Sequence, residues 1–172
     1  DNPIVGDNIY KIIDGDNNTN LATVELQLFN IYNIISSKHN FVLPFFNKTQ
    51  NDEEEVASAN GMTLMKDEKM VGSLDAEETK FYHFVMNTVA GGLLTIDTNG
   101  DKKDDMTLEI DQSSSGLSYT YENDKVKFQL KTNVKVILDE AENQVDALDN
   151  KQLNSIQTLA EEMLKKKINQ VI

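Results

Sequence analysis

Residues 125 to 138, KVKFQLKTNVKVIL, alternate between apolar and polar side chains, and that alternation constrains the fold more than any other feature. Val126, Phe128, Leu130, Val134, Val136 and Leu138 fall on one face of an extended chain, with Lys125, Lys127, Gln129, Lys131, Asn133 and Lys135 on the other. A strand of this kind belongs to an antiparallel sheet with one face buried and the other wet. Phe128 is therefore expected in the core, where truncation to Ala costs roughly 3–5 kcal/mol. The turn Asn123-Asp124 leads into this strand. Before it, Met106, Leu108 and Ile110, then Leu117, Tyr119 and Tyr121, predict strands at 105–111 and 116–122. Ser113 to Ser115 read as a flexible connection between them. A further strand is expected at 92–97.

After the strands, Asp149 is placed to cap a helix running from Asn150, with Gln152 in the capping-box position. Leu153, Ile156, Ala160, Met163, Ile168 and Val171 form its apolar stripe, which is expected to pack on the sheet. Lys165 to Lys167 suit the negative end of its dipole. Near the start, residues 1–19 read as an inter-domain segment with a short apolar patch at Ile9, Tyr10, Ile12 and Ile13. Asn20 is placed to cap a helix carrying Leu21, Val24, Leu26, Leu28, Phe29, Tyr32 and Ile35. The segment 41–46, FVLPFF, is extended because Pro44 blocks a helix, and 47–53 read as a polar loop. The fold class is α+β: an antiparallel β-sheet with helices packed mainly on one face, in a single domain of 172 residues.

Residues 61 to 79 form a punctuated module. Met62, Leu64 and Met65 run into the polar turn Lys66-Asp67-Glu68-Lys69, and Met70, Val71 and Leu74 run out of it, which predicts a β-hairpin. Asp75 then opens a helix, with Glu78 three residues on completing a capping box. That helix, over about 75–88, places Phe81, Phe84, Val85 and Val89 on one side, and Gly91-Gly92 release the chain into Leu93, Leu94 and Ile96.

The order of hairpin, capped acidic helix and Gly-Gly strand resembles the C-terminal domain of the spore germination receptor C subunit, the GerAC-like lipoproteins. The helix and VLP segment over 20–46 resemble the family's helix and its following LP stretch. The long strand, acidic connector and terminal helix over 125–171 resemble its later part. The resemblance implies a non-catalytic subunit of a nutrient-germinant receptor, working by protein–protein interaction beside the receptor's A and B membrane subunits. It also implies a membrane-associated place on the outer face of the spore inner membrane, held by an N-terminal lipid anchor. Family members carry that lipidated Cys on earlier domains and continue past the terminal helix. The chain, which has no Cys, is accordingly expected to be either an excised piece of a longer lipoprotein or a shortened relative.

Composition excludes some classes without naming one. Net charge is −13 and none of the 16 basic residues is Arg, which argues against nucleic acid and against docking on anionic lipid. Two acidic loops have partial EF-hand spacing: Asp14, Asp16, Asn18 and Glu25, and Asp97, Asn99, Asp101 and Asp105. The first lacks the turn Gly, the second lacks both that Gly and the closing carboxylate, and an Asx turn explains the second equally well. Of the two His, His39 reads as solvated and His83 as a boundary residue. Glu77 and Glu78 suit the positive end of a helix better than acid/base work. No catalytic motif occurs, so the expectation is no enzyme, no catalytic, cofactor or metal residues, and no cofactor. The alternative is a free-standing ligand- or calcium-binding module of the cell envelope.

Overall fold

The computed structural model of the chain describes residues 9–13, 21–25, 27–37, 39–51, 54–98, 100, 106–141, 145–146 and 149–172. These group into two compact units, divided in sequence between Lys80 and Phe81. Each holds its own antiparallel three-stranded sheet, so the class is α+β as expected, with two sheets in place of one.

In the first unit a helical turn at 9–13 (α1) and α2, Leu28–Ser36, precede β1, Phe41–Asn51, β2, Glu54–Lys66, and β3, Lys69–Leu74. The helix expected from Asn20 begins only at Leu28. Leu21, Ala22, Thr23 and Val24 are instead four consecutive buried residues in irregular backbone. A helix buries one stripe, not four neighbours in a row. Here the Thr23 hydroxyl donates to the Gly61 carbonyl at 3.2 Å, and Leu21 sits at φ 55°. The expected loop at 47–53 is also strand as far as Asn51, where Asn47↔Ser58 through Asn51↔Glu54 continue the β1–β2 ladder. Backbone pairing accommodates polar side chains there, because the ladder uses only N–H and C=O groups. The 62–74 hairpin forms as expected, closing at Lys66↔Lys69 with Asp67 at φ 54°.

In the second unit β4, Leu93–Ile96, β5, Met106–Glu122, and β6, Lys125–Ala141, lie in that order, followed by α4, Asn150–Val171. Helix α3, Ala76–Met86, crosses the division in sequence and contributes Phe81 and Phe84, whose rings stack with centroids 6.2 Å apart. They join Leu94, Ile96, Met106, Leu108, Ile110, Ala160 and Ile168 in one buried cluster.

The two strands expected at 105–111 and 116–122 are one. Ser113–Ser115 are not a flexible connection: they pair with Val134, Asn133 and Thr132, and the Ser115 and Thr132 hydroxyls lie 3.0 Å apart. Pairing jumps from Ile110↔Val136 to Gln112↔Lys135, so Asp111 is bulged. The bulge changes which residues face inward, from 106, 108 and 110 before it to 113, 115, 117, 119 and 121 after it. Asn123 and Asp124, at φ 52° and 59°, make the tight turn into β6.

The expected burial of the β6 apolar face is not met: none of these side chains is buried, and even at the base Val136 and Leu138 are 36% and 41% exposed. Val126 is 51% and Phe128 65% exposed, while Leu130 and Val134 are half-buried. Toward the tip the cause is length. Strand β4 pairs with β5 only from Met106 to Glu109, so beyond that segment the sheet is a two-stranded ribbon. Helix α4 buries only Ala160 and Ile168. It is capped by Asp149, whose carboxylate accepts from the Lys151 and Gln152 N–H groups. Gln152 does not return to Asp149 but accepts from the Asp146 N–H at 2.8 Å. Lys165–Lys167 precede the last turn, which has no basic residue.

Candidate functional site

The ribbon and α4 enclose a groove of about 1290 Å³ within the second unit. Its floor is Val85, Leu94 and Leu108. One wall is Leu117, Phe128, Leu130, Val134 and Val136 from the ribbon, and the other is Leu153, Ile156, Ala160, Leu164 and Ile168 from α4. Polar groups sit among them: Thr132, Asn133, Lys135, Gln157, Glu161, Lys165 and Asn169. The apolar face continues past the groove to the ribbon tip. Leu117, Tyr119 and Tyr121 lie opposite Leu130, Phe128 and Val126, and five of these six side chains are more than half exposed. Contiguous exposed apolar surfaces of this kind are uncommon on monomeric domains.

The residues weighed from sequence are scattered. His39 is exposed, as expected. His83 is buried at 6% exposure instead of lying at the boundary, with Nδ1 2.8 Å from the Thr88 hydroxyl. That hydrogen bond closes the end of α3, a structural use of the imidazole. Asp75 and Glu78 cap α3 reciprocally, and Glu77 stays in its first turn. Asp14, Asp16 and Asn18 lie outside the described residues, as do Asn99, Asp101 and Asp105. Asp97 accepts from the Gly100 N–H at 2.6 Å, as an Asx turn requires. Burial pushes the phenol of Tyr82, next to His83 in α3, up from its usual value. Among the described residues no group of three or more His, Cys, Asp and Glu is placed to hold a metal ion. No described helix is long and apolar enough to cross a membrane. The groove itself was not legible as a site. Its signal was the apolar run on both strands of the 106–141 hairpin, whose combined length exceeds what one helix stripe can cover.

This α+β architecture carries, in its second unit, an antiparallel ribbon open on its apolar face. The chain belongs to the family described as Spore germination B3/GerAC like, C-terminal, which it matches over residues 60–172. It is 29% identical over 124 residues to spore germination protein B3 of Bacillus subtilis (strain 168), covering 70% of this chain and 32% of that protein. Its fold is similar to the crystal structure of the GerBC protein, with a TM-score of 0.71 at 23% identity. That match covers 86% of this chain and 45% of the other. The chain therefore spans about a third of the curated relative and less than half of the solved one.

Proposed function

We propose that the chain is the C-terminal domain of a longer lipoprotein, the C subunit of a nutrient-germinant receptor, and that it acts there by contact and not by catalysis. Its place is the outer face of the spore inner membrane, beside the A and B membrane subunits and held by an N-terminal lipid anchor. The observation that carries this reading is the open apolar face of the β5–β6 ribbon in a member of this family. Large exposed apolar side chains are costly in water unless a partner covers them. Family membership speaks against the free-standing calcium module.

The test uses spores carrying the full-length parent protein with Phe128→Ser or Glu77→Lys. Both side chains are exposed, so each variant is expected to fold with near-normal stability. Co-purification with the membrane subunits and nutrient-triggered germination should both fall. Normal assembly and germination in both variants, with saturable germinant binding by the isolated domain, would overturn the contact reading.

A further inference from the structure

Strand β6 has an outer edge that no described strand occupies along its 17 residues. The other side of the ribbon is partly closed. Along β5, β4 covers Met106–Glu109, the Gly92 carbonyl takes the Ile110 N–H at 2.9 Å, and the Asn87 side chain takes the Ser115 N–H at 2.7 Å. A long strand edge with free N–H and C=O groups is a template for another strand.

The two faces of β6 say what that strand must be. On the groove face, Val126, Phe128 and Leu130 offer apolar contacts. On the other face Lys125, Lys127 and Lys131 are exposed, and so is Lys135, which also borders the groove. Lys135 is paired with Asp111 and Lys125 has Glu122 opposite it, but Lys127 and Lys131 face Thr120 and Gly116 across the ribbon. Segment 112–135 holds four Lys against two acids, Glu122 and Asp124, a net charge of +2 in a chain of net −13. A β6-to-β6 pairing of two copies would set lysines against lysines, and like charges opposite one another destabilise a ladder.

We propose that the outer edge of β6 takes an extended segment of a partner protein in which apolar and acidic residues alternate. In antiparallel pairing, residues directly opposite share a face. The partner's apolar side chains therefore extend the ribbon's apolar surface over the groove, and its carboxylates meet Lys127 and Lys131. This inference deepens the contact reading by naming the chemistry of the partner, and it rests on that reading.

The test is binding of two synthetic peptides to the 172-residue chain, one alternating Val with Glu and one alternating Val with Lys. Hydrogen exchange of the β6 amides is followed in parallel. The Val/Glu peptide should bind at least tenfold tighter, weaken with salt, and slow exchange at alternate β6 N–H groups. Lys127→Glu/Lys131→Glu should reverse the peptide preference while leaving the unfolding midpoint in place. Equal binding of both peptides, no protection along β6, preferential binding to phosphatidylglycerol vesicles, or dimerisation through β6 would each overturn the proposal. Failure here with loss of receptor assembly in the Phe128→Ser spores would sink the edge model and leave the contact reading standing.

Discussion

Tyr119 and Phe128 lie directly opposite one another on the β5–β6 ribbon, ring centroids 6.5 Å apart, and both are mostly exposed. A cross-strand aromatic pair in this position contributes to the ribbon but is not part of a core. Phe128→Ala should therefore lower stability of the isolated chain by only about 0.2–1 kcal/mol, the range for cross-strand pairs. A buried aromatic would cost several-fold more. Urea denaturation decides it, and a loss above about 3 kcal/mol would mean that the ribbon face is covered.

Asp75 Oδ1 accepts the Glu78 N–H at 2.8 Å, and Glu78 Oε2 accepts the Asp75 N–H at 3.0 Å. Asp75→Ala leaves first-turn donors unsatisfied and should cost about 1 kcal/mol. Asp75→Asn, which keeps a cap oxygen, should recover most of it. Thermal midpoints of the two variants make the comparison.

This cap was legible in the sequence, as were the hairpin at Lys66–Lys69 and the Asn123-Asp124 turn, because each rests on neighbours in the chain. What the sequence hid depends on distant partners. Leu21, Val24 and Leu28 have helical spacing, yet the first two are buried in irregular chain beside Gly61. Ser113–Ser115 carry no apolar residue to mark a strand, and the Asp111 bulge reverses the alternation just before them. The groove was illegible for a similar reason: alternation shows which face is apolar but not what covers it.

Thr79 is completely buried, and its hydroxyl has no hydrogen-bond partner among the described residues. A buried polar atom without a partner costs about 1–3 kcal/mol relative to a satisfied one. Thr79→Val replaces that hydroxyl with a methyl of similar volume and nearly equal helix propensity. The variant should be as stable as the parent or more so by about 1 kcal/mol. A clear loss would reveal an unseen partner, such as a buried water.

Chelation should leave the chain unchanged. An ion held specifically by the folded state, at a free concentration one hundred times its Kd, adds roughly 2.7 kcal/mol, which chelation would remove. Scanning calorimetry with excess EDTA and with added calcium should give overlapping transitions. A calcium-dependent rise would direct attention to Asp14, Asp16, Asn18 and Glu25.

At Gly61 backbone geometry leaves little freedom. Its φ is +120°, a region that L side chains rarely adopt, and a Cβ there would lie 2.1 Å from the Leu74 carbonyl oxygen. The atom it would meet is backbone, so no side-chain rotation relieves the contact. Gly61 also offers its carbonyl to the buried Thr23 hydroxyl, and any shift of the chain disturbs that bond. Gly61→Ala combines overpacking of about 1–3 kcal/mol with backbone strain of similar size. A total loss of about 3 kcal/mol or more follows. The control is Gly100→Ala, at φ +75° but with open space around its Cβ, which should carry only the strain of its backbone. Equal midpoints for the two variants would show that the close approach at Leu74 relaxes freely.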